Sequence, residues 1–241
     1  MSDLNERLAA GQPLVMGILN VTPDSFSDGG SYATVEAAVA RALAMVDEGV
    51  DIVDVGGEST RPGSVRVSVD EQSARVIPVI EALRSRLPQS CLISIDTTSG
   101  VVAEAAIQAG AGLINDVSAG LDDPTILDVA ARNSVPIVLM HMQGSPETMQ
   151  DNPGYVDVVS EVRTFLLDRV EAALSAGIRR DAIVLDPGIG FGKKKEHNLR
   201  LMAELKIFAD LGYPVLLGAS RKRFMGAICQ EQRPSELLGA T

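Results

Sequence analysis

The chain has 241 residues, 46% of them hydrophobic but only 3% aromatic and none tryptophan, which suits one large α/β domain with an aliphatic core. A formal charge of −11 argues against a general nucleic-acid surface, while leaving room for an anionic small molecule held by local cations. Cys91 and Cys229 match no metal-ligand spacing and suit a reducing cytosol, the polar stretch Met1 to Leu8 is not a signal peptide, and no apolar run reaches membrane-spanning length.

One unit recurs along the chain: a short apolar run ends in polar residues, and an amphipathic segment follows. The first run, Val15–Val21, carries Asn20 near its end and opens into a polar loop with Phe26 at its centre. A helix is predicted over Thr34–Glu48, where Val35, Val39, Leu43 and Val46 fall at helical spacing. The second run is Ile52–Val55, ending in Gly56-Gly57-Glu58-Ser59-Thr60-Arg61-Pro62-Gly63, with a helix over Val69–Leu87 that Pro78 is expected to kink. The third, Leu92–Ile95, ends at Asp96 before a helix over Ser99–Ala109, and the fourth, Leu113-Ile114, ends at Asn115-Asp116 before a helix over Pro124–Arg132. The fifth, Ile137–Met140, ends at His141, and its helix spans Tyr155–Ala176. The sixth, Ile183–Leu185, ends at Asp186 and a glycine-rich stretch through Gly190, Phe191 and Lys193, with a helix over Glu196–Leu211. The seventh, Val215–Leu217, ends at Ser220-Arg221-Lys222, with a helix to about Cys229.

Continuous apolar strands that each precede a helix imply a parallel sheet covered by helices. Polar residues at the ends of many strands favour a TIM (β/α)₈-type barrel over a doubly wound sheet, whose site gathers at one switch point. No linker or low-complexity stretch divides residues 1–241, so a single domain is expected. Seven βα units are readable and an eighth strand is not.

On a barrel, the strand ends share one rim. That rim would hold Asn20, Glu58 to Arg61, Asp96, Asn115-Asp116, His141, Asp186 and Ser220 to Lys222. Any one Asp or Asn there could cap a helix, but the set as a whole is better explained by a ligand. Carboxylates beside an asparagine suit a flat heterocycle with mixed donor and acceptor edges. Arg61 and Lys222 suit phosphate or carboxylate groups, and Asn20 could help hold Mg²⁺ alongside phosphate oxygens and water. Lys193 to Lys195 reads as a solvated start of a helix and His197 as a surface residue. His141, between two methionines, reads first as a packing residue, with acid–base work the alternative.

These motifs together resemble the bacterial dihydropteroate synthases. The matching pieces are MGILNVTPDSFSDGG at Met16–Gly30, VGGESTRPG at Val55–Gly63, SIDT at Ser94–Thr97, IND at Ile114–Asp116, LMHMQG at Leu139–Gly144, LDPGIGFGK at Leu185–Lys193 and SRK at Ser220–Lys222. The resemblance implies condensation of 6-hydroxymethyl-7,8-dihydropterin diphosphate with 4-aminobenzoate, giving 7,8-dihydropteroate and diphosphate in folate synthesis, the step that sulfonamides target. It implies that Asp96, Asn115, Asp186 and Lys222 hold the pterin, and that Asn20 and Arg61 serve the Mg²⁺-diphosphate. Phe26, Thr60, Arg61, Pro62, Gly190, Phe191 and Ser220 would shape the aminobenzoate pocket. The chemistry would fall to Asp96, Asp186, Lys222 and Arg61, in a cytoplasmic homodimer.

The family's last strand, with its Arg-x-His pair, and its closing helix have no counterpart before Thr241. The expectation is therefore a C-terminally truncated synthase of weak or no activity, its dimer contact in question. Two rivals are a pterin-binding methyltransferase domain, which would not need the Ser59 to Pro62 and Ser220 to Lys222 pieces, and an inert pterin-binding remnant.

Overall fold

The computed structural model describes residues 7, 11–21, 31–58, 66–220, 222, 224 and 225. Six parallel strands form one sheet in chain order: β1 (Met16–Asn20), β2 (Ile52–Gly56), β3 (Leu92–Asp96), β4 (Leu113–Asp116), β5 (Ile137–Met140) and β6 (Ile183–Asp186). Among the described residues one α-helix lies between each strand and the next: α1 (Ser31–Asp47), α2 (Val69–Arg86), α3 (Gly100–Ala109), α4 (Thr125–Asn133) and α5 (Val158–Ser175), with a 3₁₀ turn at Arg180–Ala182 leading into β6. After β6 the single predicted helix is two, α6 (Lys195–Ala203) and α7 (Leu205–Ala209).

The order β1 to β6 never reverses, so there is no switch point of the doubly wound kind. Right-handed crossovers that always step to the next neighbour put every helix on the same face of the sheet. The other face must then be an interior, as in a (β/α)₈-type barrel. Two apolar clusters correspond to the two faces. The larger lies between sheet and helices and includes Val53, Val55, Ile93 and Ile95, all nearly inaccessible. The smaller holds Ile52, Leu113 and Val138, with Leu14, Met16, Leu92, Val184 and Leu216 against it. Residues two apart on a strand share a face, so Ile52 carries Asp54 and Gly56 inward with it, and Leu92 carries Ser94 and Asp96.

Helix ends are fixed by local chemistry. The Ser68 hydroxyl accepts from the Glu71 amide (3.3 Å) to start α2, Ser99 accepts from Val102 (3.5 Å) to start α3, and Asp157 accepts from Val159 (3.2 Å) to start α5. Pro78 sits inside α2 without ending it. Among the described residues, no helix is long and apolar enough to cross a membrane.

The seventh strand position is filled more briefly than the sequence predicts. The Leu185 amide donates to the Pro214 carbonyl (2.9 Å) and the Leu216 amide to the Leu185 carbonyl (2.8 Å), leaving one parallel bridge at Val215 in place of a strand over Val215–Leu217. Pro214 has no N–H to give, and Gly218 follows three residues after Val215. Among the described residues there is no eighth strand. Among these residues β1 has a sheet neighbour on one side only, and Ile18, an inward-facing residue by its spacing from Met16, is 53% exposed.

Candidate active site

Register assembles the site before any loop contributes. Asn20 is the sheet partner of Gly56, Gly56 of Asp96, and Asp96 of Asn115. These four inward positions form one row across β1 to β4. On the far side, Met140 at the end of β5 partners Asp186 at the end of β6. Glycine in the row keeps the centre clear: a Cβ on Gly56 would stand 3.4 Å from Asp96 Oδ2 and 3.5 Å from Asn20 Oδ1. Asn20, Asp96, Asn115, Asp186, Gly190, Phe191, Ser220 and Lys222 all border a single cavity of about 2420 Å³. Phe26, Thr60, Arg61 and Pro62 lie outside the described residues, as do Ser59, Arg221 and most of the helix expected to follow Lys222.

None of the three cavity residues Asp96, Asn115 and Asp186 is spent on a helix cap. Ser99 caps α3 in place of Asp96. One oxygen of Asp186 accepts from the Gly188 amide (2.7 Å), closing a short turn. Asn115 Nδ2 donates to Asp54 Oδ2 (2.9 Å), which sets the orientation of the carboxamide. Asp54 is the middle residue of β2, 1% exposed, and sequence reading passed over it. Asp116, by contrast, is the next residue after Asn115 and so faces the helix side. It is fully buried and accepts from the Ser118 amide and hydroxyl (both 2.8 Å) and the Gly120 amide (2.6 Å). Its carboxylate builds a turn and does not belong to the rim.

Electrostatically the cavity is a store of uncomfortable carboxyls. Burial is the main force raising Asp96 well above the ordinary carboxylate range; Asp54, Asp116 and Glu58 add repulsion, and Lys222 draws it part of the way back. Burial also pushes Asp186 up to about 6, against the Gly188 hydrogen bond and the attraction of Lys222 and Lys193. Asp54 is raised by burial, with Ser94 and Asn115 opposing. Lys222 is lowered by burial, while Asp186 and Asp96 pull it upward. Its ammonium stands 4.0 Å over the Phe191 ring centroid, and its stem crosses Gly190, where a Cβ would meet Lys222 Cδ at 2.9 Å. A ligand that brings N–H donors to Asp96 and Asp186 would relieve the carboxyls that burial disfavours.

The loop after β6 is more heavily tied than its glycines suggest. Asn198, 2% exposed, accepts from the Gly190 amide (2.7 Å). Gln150 donates to the Gly190 carbonyl (2.9 Å) and the Tyr155 hydroxyl to the Gly192 carbonyl (2.8 Å). Lys193, expected to be solvated, is only 3% exposed and reaches back to the residue after β5. His141 is a buried packing residue: burial and Lys193 push it down to about 3, and its ring meets Phe165 edge-on at 4.8 Å. His197 is not merely on the surface; its Nδ1 accepts from the Lys194 amide (3.1 Å) at the start of α6.

The family described as "Pterin binding enzyme" matches residues 16–241. A dihydropteroate synthase of Synechocystis is 47% identical over 94% of this chain and 78% of its own length. Two solved structures from Xanthomonas albilineans superpose closely. A dihydropteroate synthase with 4-aminobenzoic acid has a TM-score of 0.88 at 50% identity, covering 95% of this chain and 81% of that one. A second, in complex with 7,8-dihydropteroate, has a TM-score of 0.83 at 47% identity, covering 95% and 80%.

Proposed function

The chain belongs to the family of pterin-binding enzymes, as a dihydropteroate synthase, and from that premise we propose how its own residues divide the work. The reaction joins 6-hydroxymethyl-7,8-dihydropterin diphosphate to 4-aminobenzoate, releasing diphosphate. The observation that carries the assignment of roles is that Asp96, Asn115, Asp186 and Lys222 converge on one cavity although they come from four separate βα units.

Asp96 and Asp186 accept hydrogen bonds from the pterin's N–H edge. Asn115, held by Asp54 through its Nδ2, turns its acceptor oxygen to the same ring. Lys222 reaches the pterin's acceptor side and, through its contact with Phe191, links the two substrate sites. Gly190, Phe191 and Ser220 shape the aminobenzoate pocket together with Phe26, Thr60, Arg61 and Pro62. As diphosphate departs, positive charge develops on the pterin methylene and spreads into the ring. The two carboxylates stabilise that charge from fixed positions in a poorly solvated cavity. The aromatic amine attacks the methylene carbon, the C–N bond forms, and the amine then sheds a proton. Holding both substrates in line supplies much of the remaining acceleration.

Mg²⁺ fits what the rim offers. Asn20 presents a neutral oxygen beside Asp96 over Gly56, and the described residues contain no cluster of three metal-ligating side chains. A hard cation sharing such a site with phosphate oxygens and water needs no protein cage. Asn20 would hold it, Arg61 would neutralise the remaining diphosphate charge, and the ion would make diphosphate a better leaving group. Cys91, a buried free thiol, supports a cytoplasmic setting.

The test is diphosphate release by the purified chain with both substrates and Mg²⁺. Release that requires 4-aminobenzoate and yields dihydropteroate is expected. Pterin binding with no release, or methyl transfer to a corrinoid in its place, would overturn the reading.

A further inference from the structure

Lys193 has an environment that its sequence neighbours, Lys194 and Lys195, do not share. Both of those are exposed, whereas Lys193 is 3% exposed. Its ammonium lies 3.0 Å from His141 Nδ1, 3.2 Å from the His141 carbonyl and 2.9 Å from the Phe191 carbonyl. Three N–H groups meet three acceptors, so the ammonium is fully used and has no donor left for a ligand. Accepting at Nδ1 leaves the neutral imidazole its proton on Nε2. A buried cation is costly, and one held this way is kept for what it ties together.

What it ties is the loop that carries three of the proposed site residues. Asp186 opens the loop, Gly190 and Phe191 form its crest, and Lys193 ends it. The loop has almost no slack against the neighbouring chain: a Cβ on Gly188 would lie 1.8 Å from the His141 carbonyl oxygen, and one on Gly192 would lie 2.3 Å from the Gln143 carbonyl oxygen. Gly188 and Gly192 both have left-handed backbones, with φ of +68° and +60°. We propose that Lys193 is a positioning residue of this enzyme, its ammonium clamping the β6 loop onto the main chain after β5 and so fixing where Asp186 and Phe191 stand toward the two substrates. The proposal rests on the functional reading above, which it deepens.

The groups facing the ammonium are His141 after β5, Asp186 at the end of β6, and Lys222 after the seventh strand position; Tyr155, ahead of α5, closes the same loop at Gly192. Burial pushes Lys193 down to about 7, with Asp186 opposing and Lys222 assisting. Loss of its proton would leave two N–H donors for three acceptors, so the contact to the His141 ring would survive only if the imidazole moved its proton to Nδ1. The clamp is therefore sensitive to pH as it rises through about 7.

The experiment is Lys193→Met, which keeps an unbranched apolar stem and deletes the ammonium. Calorimetry with the pterin diphosphate, and steady-state kinetics in 4-aminobenzoate, are compared with wild type. Pterin Kd and aminobenzoate KM should both rise by about tenfold or more, since misplacing a binding group by an ångström has effects on that order. Lys193→Arg should recover part of the loss. Unchanged affinities in a folded Lys193→Met protein would overturn the clamp while leaving the functional reading intact. A wild-type chain that bound neither substrate would overturn both. If Lys193→Met does not fold, ¹³C-lysine NMR of the wild type decides. The Gly190 and Phe191 amide shifts must follow the Lys193 titration with the same midpoint, and amides that stay fixed through it would refute the proposal.

Discussion

Replacing Asp186 by asparagine should make the free protein more stable at neutral pH while it weakens pterin binding. The carboxyl is 6% exposed, and burial lifts it from an ordinary value of 3.8 to about 6. A raised carboxyl binds its proton more tightly folded than unfolded. It therefore costs no stability below about pH 4, and costs progressively more as the pH rises through about 6. Above that range, the ionised form is penalised by about 3 kcal/mol. Asparagine keeps an oxygen for the Gly188 amide and carries no charge, so Asp186→Asn should gain up to about 3 kcal/mol at pH 8 and almost nothing at pH 4. The same change turns an acceptor toward the pterin into a donor, which should weaken binding by about tenfold to a hundredfold. Urea denaturation at pH 4.5 and pH 8, alongside calorimetry with the pterin diphosphate, measures both effects. A stability difference that does not grow with pH would show that the carboxyl is not held in the strained state described, and unchanged pterin affinity would remove it from the binding site.

Further outcomes follow from the same cavity. Asp54→Ala should weaken pterin binding about tenfold with little change in the aminobenzoate KM, because it frees the Asn115 carboxamide to rotate; equal losses for both substrates in kinetics would contradict this. Asn20→Ala should raise the Mg²⁺ concentration needed for half-maximal turnover, read by magnesium titration at saturating substrates, and an unchanged requirement would remove Asn20 from the metal site. Gly188→Ala should cost about 2–4 kcal/mol in denaturant unfolding, since its Cβ has no room before the His141 carbonyl and its backbone is left-handed; full stability would show that the loop can give way.

Much of the frame was legible because buried parallel strands are nearly continuous apolar runs, and six of the seven predicted runs are strands. The cavity residues Asp96, Asn115 and Asp186 were legible for the same reason: each is the polar stop on an apolar run. The errors came from contacts that sequence spacing does not encode. Lys193 was read with its lysine neighbours, yet its partners are a ring and a carbonyl at residue 141. Asn198 and Gln150 hold Gly190 from a helix and a distant loop, and nothing local marks either. Two misses did carry a signal. Strand alternation puts Asp116 on the opposite face from Asn115, and puts Asp54 on the same inward face as Gly56. A carboxylate in the middle of an apolar strand calls for a partner, and its partner is a site residue. The predicted helix over Glu196–Leu211 divides at Glu204, which ends α6 and begins α7.

The uninterrupted strand order has a consequence for biosynthesis. Each of β2 to β6 pairs with the strand of the unit made just before it, so the described sheet can lengthen as the ribosome delivers each βα unit. The row of Asn20, Gly56, Asp96 and Asn115 is laid down first, on a scaffold that grows beneath it. Asp186 and Lys222 emerge last and meet a cavity whose opposite wall already exists. The nascent chain thus holds Asp96 beside Asp54 and Asp116, which both repel it, for some time before Lys222 arrives to attract it.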